Sequence, residues 1–179
     1  MPTVLAILAE GFEEIEAITP IDLLRRAGLP VTVAALGESI HVTGRNGITL
    51  HADITLAQLP STPADCLFLP GGPGVKHLRA SPQVLDLVRD YHRQQRIVAA
   101  ICAAPTVLLD AGILTHRRYT AHGSVQAELP DLLPDARIVW DENILTSRGA
   151  GTALDCGLGL IERLCGQETA QKIAESIHA

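Results

Sequence analysis

Short apolar runs alternate with longer amphipathic segments along the whole chain, and this alternation restricts the fold more than any other feature. Apolar runs are typical of parallel strands buried on both faces, and they lie at residues 3–8, 31–36, 66–69 and 97–101. Helical patterns follow at residues 13–27, 82–94, 106–109, 152–164 and 169–178. The alternation predicts an α/β layer structure with a mainly parallel sheet.

The remaining strands are predicted from turn signals and β-branched residues. Asn46-Gly47 supplies the positive φ angles of a tight turn, so residues 42–50 are predicted to form a hairpin. Further strands are expected near Tyr119-Thr120, at 138–140 and at 144–147. A chain of 179 residues without an internal repeat or linker indicates one domain, residues 1–179.

Composition excludes several classes of function. Fourteen basic against twenty acidic residues give a net charge of -6 without a basic cluster, which argues against nucleic-acid binding. The sequence has no leader pattern and no apolar run of membrane-spanning length, so we expect a cytoplasmic protein that does not bind membranes. Its four cysteines and seven histidines show no zinc-site spacing, so free thiols and no metal site or cofactor are expected.

One cysteine, Cys102, lies within the run at residues 97–106, at the predicted junction between a buried strand and a helix. Unpaired N–H groups and the positive end of a helix dipole favour thiolate over thiol, so a low pKa is expected for Cys102. The neighbouring alanines suit a sharp strand-to-helix turn. The alternative interpretation is a small buried hydrophobe, the usual role of a free cysteine.

Loops that follow the strands of an open α/β sheet meet at one edge, where ligands bind. Here these loops carry residues 10–13, 71–74, 102–105, 147–151 and the segment around His122. The backbone N–H groups of Gly72 and Ala103 are candidates for an oxyanion hole, and His122 is a candidate base or proton shuttle. Glycines as turn residues and a solvated loop histidine are the alternative interpretations.

Glu16 is a candidate partner of the thiol. Pro20 lacks the N–H that would bond to the Glu16 carbonyl, so we expect a loosened helix that turns this carboxyl inward. If it faces Cys102, the two groups share a proton. Glu13 and Glu14, in contrast, are explained by stabilisation at the helix N-terminus.

Five segments, in order, resemble the ThiJ/PfpI superfamily, and most closely the branch of the parkinsonism-associated deglycase and its bacterial relatives. They cover almost the whole chain and read AEGFEEIE (9–16), LLRRAG (23–28), LPGG (69–72), AAICAAP (99–105) and LTSRGAGT (145–152).

The resemblance implies a flavodoxin-like three-layer sandwich and a homodimer without a cofactor. It also assigns residues: Cys102 as nucleophile, Glu16 as its hydrogen-bonded partner and His122 as the third catalytic residue. Gly72 and Ala103 match the oxyanion-hole positions of the family. Three further positions match residues near the dimer interface and the cysteine pocket, namely Arg26, Arg45 and Ser147.

The expected function is a protective cysteine enzyme that acts on glyoxal and methylglyoxal or on their early adducts with protein and nucleotide groups. Two alternatives remain open. One is a redox-sensing chaperone in which Cys102 is oxidised to a sulfinate held by Glu16. The other is an amidase or peptidase, but Ala103 stands where the peptidase-like branch has a histidine.

Overall fold

The computed structural model describes residues 1–179 and contains a central seven-stranded sheet with a separate two-stranded hairpin. The strands are β1 (Val4–Leu8), β2 (Val31–Ala35), β3 (His41–Thr43), β4 (Thr49–His51), β5 (Ile54–Thr55), β6 (Cys66–Leu69), β7 (Ile97–Ile101), β8 (Ile138–Asp141) and β9 (Ile144–Ser147). The sheet has the order β5-β2-β1-β6-β7-β9-β8, and β3 pairs with β4 in the hairpin. All neighbours in the sheet are parallel except β8 and β9.

Helices cover both faces of the sheet. They are α1 (Glu14–Arg26), α2 (Val75–Arg79), α3 (Pro82–Arg93), α4 (Pro105–Asp110), α5 (Ala153–Cys165) and α6 (Gln167–Ser176), and short 3-10 turns lie at Leu56–Gln58, Gly123–Val125 and Ala150–Thr152. One apolar cluster joins alternate strand residues such as Leu5 and Leu67 to α2, α3 and α4. A second joins Ala6 and Phe68 to α1, α5 and α6. This three-layer arrangement confirms the predicted α/β, flavodoxin-like sandwich.

One predicted strand is wrong. Residues 119–120 are extended but form no ladder, because both edges of β9 are already taken by β7 and β8. The Thr120 N–H instead donates to the Thr146 side chain at 2.9 Å, and the Thr120 hydroxyl donates to the Leu133 carbonyl at 2.8 Å. The segment therefore lies against the sheet through side-chain bonds, and from there the chain reaches His122.

Candidate active site

Cys102 directly follows β7 in a strained backbone conformation. Its φ is +65°, a value that residues other than glycine rarely adopt. Two backbone bonds hold it there: the Cys102 N–H donates to the Ser147 carbonyl, and the His122 N–H donates to the Cys102 carbonyl, both at 2.9 Å. The side chain is partly exposed. The predicted sharp turn at Cys102 is therefore present, while α4 begins only at Pro105.

Glu16 points from the first turns of α1 toward this cysteine. The residue is 1% exposed, its carboxyl accepts the Gly71 N–H at 3.0 Å, and it lies close enough to Cys102 for each group to shift the pKa of the other. α1 continues through Pro20 to Arg26, and the expected loosening at Glu16 stays a prediction. Glu16 faces inward because it lies on the buried side of the helix, one turn before Pro20.

Gly71 makes the contact between these two side chains possible. A Cβ at this position would lie 2.5 Å from Glu16 Oε2, 2.7 Å from Cys102 Cβ and 2.8 Å from the Ile101 carbonyl oxygen. Distances this short are excluded by van der Waals repulsion. The loop after β6 therefore needs glycine here for the carboxyl and the thiol to meet.

Burial is the main reason why the pKa of Glu16 is raised, from its ordinary 4.5 to about 7. The negative charge of Glu13 raises it further. Bonds from Cys102 and the Gly71 N–H, together with the positive charge of Arg45, lower it in part. The carboxyl therefore titrates near neutral pH, where a general acid or base works best.

The thiol of Cys102 does not have the depressed pKa expected from the sequence. Burial, followed by the charge and the hydrogen bond of the Glu16 carboxylate, raises its pKa to about 12. The expectation was wrong because Cys102 precedes the short helix α4 instead of capping it, and because an ionised carboxylate repels a second negative charge.

Glu16 and Cys102 shift the pKa of each other in a buried site, so they titrate as a pair. When the remaining proton lies on the Glu16 carboxyl, the sulfur is a thiolate and the repulsion disappears. The backbone N–H groups of Gly72 and Ala103 lie near the sulfur and lower the pKa of Cys102. Neither N–H donates to a backbone carbonyl, so both face the reacting atom, as an oxyanion hole requires.

His122 contacts the site with its backbone N–H, which donates to the Cys102 carbonyl, whereas its ring lies on the exposed side. Nδ1 lies 2.8 Å from the Ser124 hydroxyl and accepts the Ser124 N–H at 3.2 Å, which leaves Nε2 to carry the proton of a neutral ring. The Cδ2 atom lies beside Gly149. The ring is not among the groups that affect the pKa of Cys102. Its catalytic role therefore stays a prediction.

The three residues predicted to lie near the pocket differ in their surroundings. Ser147 is fully buried, and its hydroxyl hydrogen-bonds to the Thr152 hydroxyl at 2.7 Å. Its backbone carbonyl accepts the Cys102 N–H. Arg45 lies in the hairpin turn and affects the pKa of Glu16 through its charge. Arg26, at the end of α1, pairs only with the exposed Asp22 at 2.7 Å. Ser147 thus contacts Cys102 and Arg45 acts on Glu16, while the expected places of these three residues in the pocket or at a dimer interface stay predictions.

Glu14 has a role that sequence reasoning missed. Its buried carboxylate accepts the Asn46 N–H at 2.7 Å, the Asn46 side-chain amide at 3.0 Å and the Ile48 N–H at 3.4 Å. Although burial opposes ionisation, these bonds hold the pKa of Glu14 below its ordinary value. Glu13 is the expected helix cap, since its carboxylate accepts the Glu16 N–H at 2.8 Å. Glu14 instead fixes the turn that carries Arg45.

No three His, Cys, Asp or Glu side chains cluster in a way that could hold a metal ion. None of the helices combines the length and apolar character that crossing a membrane demands. All four cysteines are free thiols, as predicted.

The resemblance seen in the sequence is confirmed by comparison with known proteins. The DJ-1/PfpI family model matches residues 2–163. The chain is 39% identical over 177 residues to Protein dj-1beta of Drosophila melanogaster, covering 97% of this chain and 95% of that protein. It is 33% identical over 172 residues to the glutathione-independent glyoxalase DJR-1.2 of Caenorhabditis elegans, covering 94% and 91%.

The fold agrees with these sequence matches. The crystal structure of Drosophila melanogaster DJ-1beta superposes with a TM-score of 0.94 at 38% identity and covers 100% of this chain and 99% of that chain. The chain therefore belongs to the DJ-1/PfpI family.

Proposed function

We propose that this protein is a cofactor-independent cysteine enzyme that acts on glyoxal and methylglyoxal or on their early adducts with protein and nucleotide groups. The observation that carries the proposal is the buried approach of the Glu16 carboxyl to Cys102, beside the N–H groups of Gly72 and Ala103, which donate to no backbone carbonyl. A nucleophile, a carboxyl that titrates near neutral pH and an oxyanion hole thus lie together. The similarity to a glutathione-independent glyoxalase supports the substrate class.

The reaction begins when the proton of the pair lies on Glu16. The Cys102 thiolate attacks the aldehyde carbon and forms a hemithioacetal, and the N–H groups of Gly72 and Ala103 stabilise the alkoxide. Glu16 then donates a proton to the alkoxide oxygen. This step returns the carboxylate that is needed as a base.

For methylglyoxal, the former aldehyde carbon next loses its hydrogen to a base, and the adjacent ketone carbon gains a proton. The aldehyde carbon is oxidised to a thioester while the ketone carbon is reduced to an alcohol, so no external oxidant is required. Water then releases a hydroxy acid and regenerates Cys102. We assign these proton transfers to Glu16, with His122 as a shuttle at the solvent side.

The experiment is steady-state turnover of methylglyoxal with identification of the hydroxy acid product. Wild type is compared with Cys102→Ser, and Cys165→Ser serves as a control because that thiol is free but lies at the end of α5. Turnover by wild type and Cys165→Ser, and none by Cys102→Ser, is the expected result. Equal rates in all three proteins would rule the proposal out.

A second candidate function is a redox sensor, and it rests on the same pair of side chains, Glu16 and Cys102. Cys102 is partly exposed, and a protonated Glu16 can donate to an oxygen of a sulfinate, which stabilises that oxidation product. Dicarbonyl turnover is the measurement that distinguishes the two functions. A sensor forms a stable sulfinate with peroxide only when Glu16 is present, and its dicarbonyl turnover equals that of Cys102→Ser.

We also propose that the protein works in a reducing compartment, the cytoplasm, as a homodimer. The four free thiols support the compartment. Three exposed isoleucines on α1 and the hairpin support the dimer: Ile15, Ile18 and Ile48.

A further inference from the structure

The hairpin of β3 and β4 brings together two histidines that are ten residues apart in the sequence. In its register His41 lies directly opposite His51, and Thr43 opposite Thr49. The Ala52 N–H donates to the Ile40 carbonyl at 2.7 Å, and the Gly44 N–H donates to the Ile48 carbonyl at 2.9 Å. Since bonded pairs alternate with non-bonded pairs, His41 and His51 form a non-bonded pair, in which side chains approach most closely.

Both histidines are exposed on the outer face of the hairpin. Val42, between His41 and Thr43, is buried on the opposite face. The two imidazole rings have centroids 4.9 Å apart and are inclined by 80°. Two metal-ligating side chains thus stand next to each other in contact with solvent.

The spacing of the rings fits a shared metal ion. A Zn–N bond of about 2.0–2.1 Å, added to the ~1.1 Å from ring nitrogen to centroid, puts each centroid ~3.2 Å from the metal. Two such rings at a tetrahedral angle have centroids ~5 Å apart, from the same Zn–N length. The observed 4.9 Å is close to this value. A shared ion requires one nitrogen of each ring to turn toward the same point, and χ2 of histidine is a soft torsion.

We propose that His41 and His51 form a surface binding site for a divalent transition-metal ion that prefers imidazole ligands, with Zn²⁺, Ni²⁺ and Cu²⁺ as the class. Imidazole nitrogens select these ions over Mg²⁺ and Ca²⁺, which take oxygen ligands. Water completes the coordination shell on the solvent side. This site is separate from the proposed dicarbonyl chemistry and does not depend on it.

A bound ion would cross-link the end of the hairpin that Glu14 does not hold. Glu14 fixes the turn through Asn46 and Ile48, whereas His41 and His51 lie at the opposite end of the two strands. Val42 anchors the strands in the apolar cluster of α1, and a cross-link at their open end adds to this support. The ion therefore stabilises the element that presents Arg45 to Glu16.

The test is isothermal titration of Zn²⁺ and Ni²⁺ salts into the full chain at neutral pH, together with metal-dependent thermal unfolding. The variants are His41→Ala, His51→Ala and the conservative His51→Gln. The control His77→Ala removes another exposed histidine, on α2. Cys102→Ser tests the competing thiol site. Circular dichroism checks that every variant is folded.

We expect saturable binding and a metal-dependent rise in Tm in wild type, His77→Ala and Cys102→Ser, since a ligand of the native state stabilises it. Each variant at His41 or His51 is expected to lose both effects. Binding that persists in these variants, binding that only Cys102→Ser removes, or no binding by wild type would overturn the proposal.

Discussion

At the scale of single residues, the site combines two acids that cannot both ionise easily. Burial raises the pKa of Glu16 to about 7, and the Glu16 carboxylate contributes to the raised pKa of Cys102. Reactivity therefore depends on where one shared proton lies. The strained φ of Cys102 and the close approach of Gly71 hold the two side chains in contact.

Glu16→Gln is expected to separate thiol reactivity from catalysis. Without the carboxylate charge the pKa of Cys102 falls, so alkylation by iodoacetamide near pH 8 becomes faster than in wild type. Dicarbonyl turnover falls by about 10²-fold, because the general acid and base is lost. Mass-spectrometric labelling over a pH series and steady-state kinetics measure the two effects. Slower alkylation in the variant would contradict the assigned coupling.

Cys102 is expected to label before the other cysteines in wild type. Cys66 and Cys156 are fully buried, and burial raises the pKa of both thiols. Burial also raises the pKa of the partly buried Cys165, which has neither N–H groups that stabilise a thiolate nor a neighbouring carboxyl that can take the thiol proton, as Glu16 can at Cys102. Peptide mapping after brief alkylation checks the order. Equal labelling of all four thiols would contradict it.

Gly71→Ala is expected to abolish turnover while the protein stays folded. The added methyl group would overlap the Glu16 carboxyl and the Cys102 side chain, so the two must separate. Gly37→Ala is the matched control, since a Cβ there meets nothing within 4 Å. Turnover and circular dichroism of both variants provide the comparison. Wild-type activity in Gly71→Ala would show that the contact is dispensable.

At the scale of elements, the first turns of α1 carry two buried carboxyls with different tasks. Glu16 faces Cys102, while Glu14 binds the turn between β3 and β4. Arg45 in that turn is also tied to the start of α1, because its N–H donates to the Phe12 carbonyl at 2.8 Å. The hairpin, whose Val42 packs into the same apolar cluster as α1, is thereby connected to the active site.

Glu14→Gln is expected to destabilise the protein by about 1–3 kcal/mol, because the replacement weakens charge-assisted hydrogen bonds to the hairpin. Faster amide exchange at residues 41–51 should accompany this loss. The control Glu38→Gln changes an exposed carboxyl and leaves both quantities unchanged. Denaturant unfolding and hydrogen exchange measure them. Unaltered exchange in Glu14→Gln would remove the assigned role of Glu14.

At the scale of the whole molecule, stability should depend on pH through Glu16. Its pKa is 4.5 in the unfolded chain and about 7 in the fold, so the folded state binds more protons between these values. Unfolding free energy therefore falls by about 3 kcal/mol as pH rises from 4 to 8. Glu16→Gln lacks this dependence. Urea unfolding of both proteins across this range checks the difference, and parallel curves would contradict it.

Light scattering is expected to give about twice the chain mass of 19.0 kDa. Ile15 is 54% exposed and Ile48 is 51% exposed, and a self-complementary surface would bury both. Ile15→Glu should shift the mass toward the monomer. The control Leu109→Glu alters an exposed apolar residue on α4 and should leave the mass unchanged. A monomeric wild type at micromolar concentration would contradict the expectation.

The sequence by itself determined the α/β class, most strand positions and the turn at Cys102, because hydrophobic periodicity and helix signals are local. It also singled out Glu16 as the candidate partner of Cys102. Tertiary structure decided what depends on neighbours distant in the sequence. The pairing of β8 with β9 left residues 119–120 without a strand partner. The raised pKa of Cys102 arises from burial and from Glu16, which only folding brings to it.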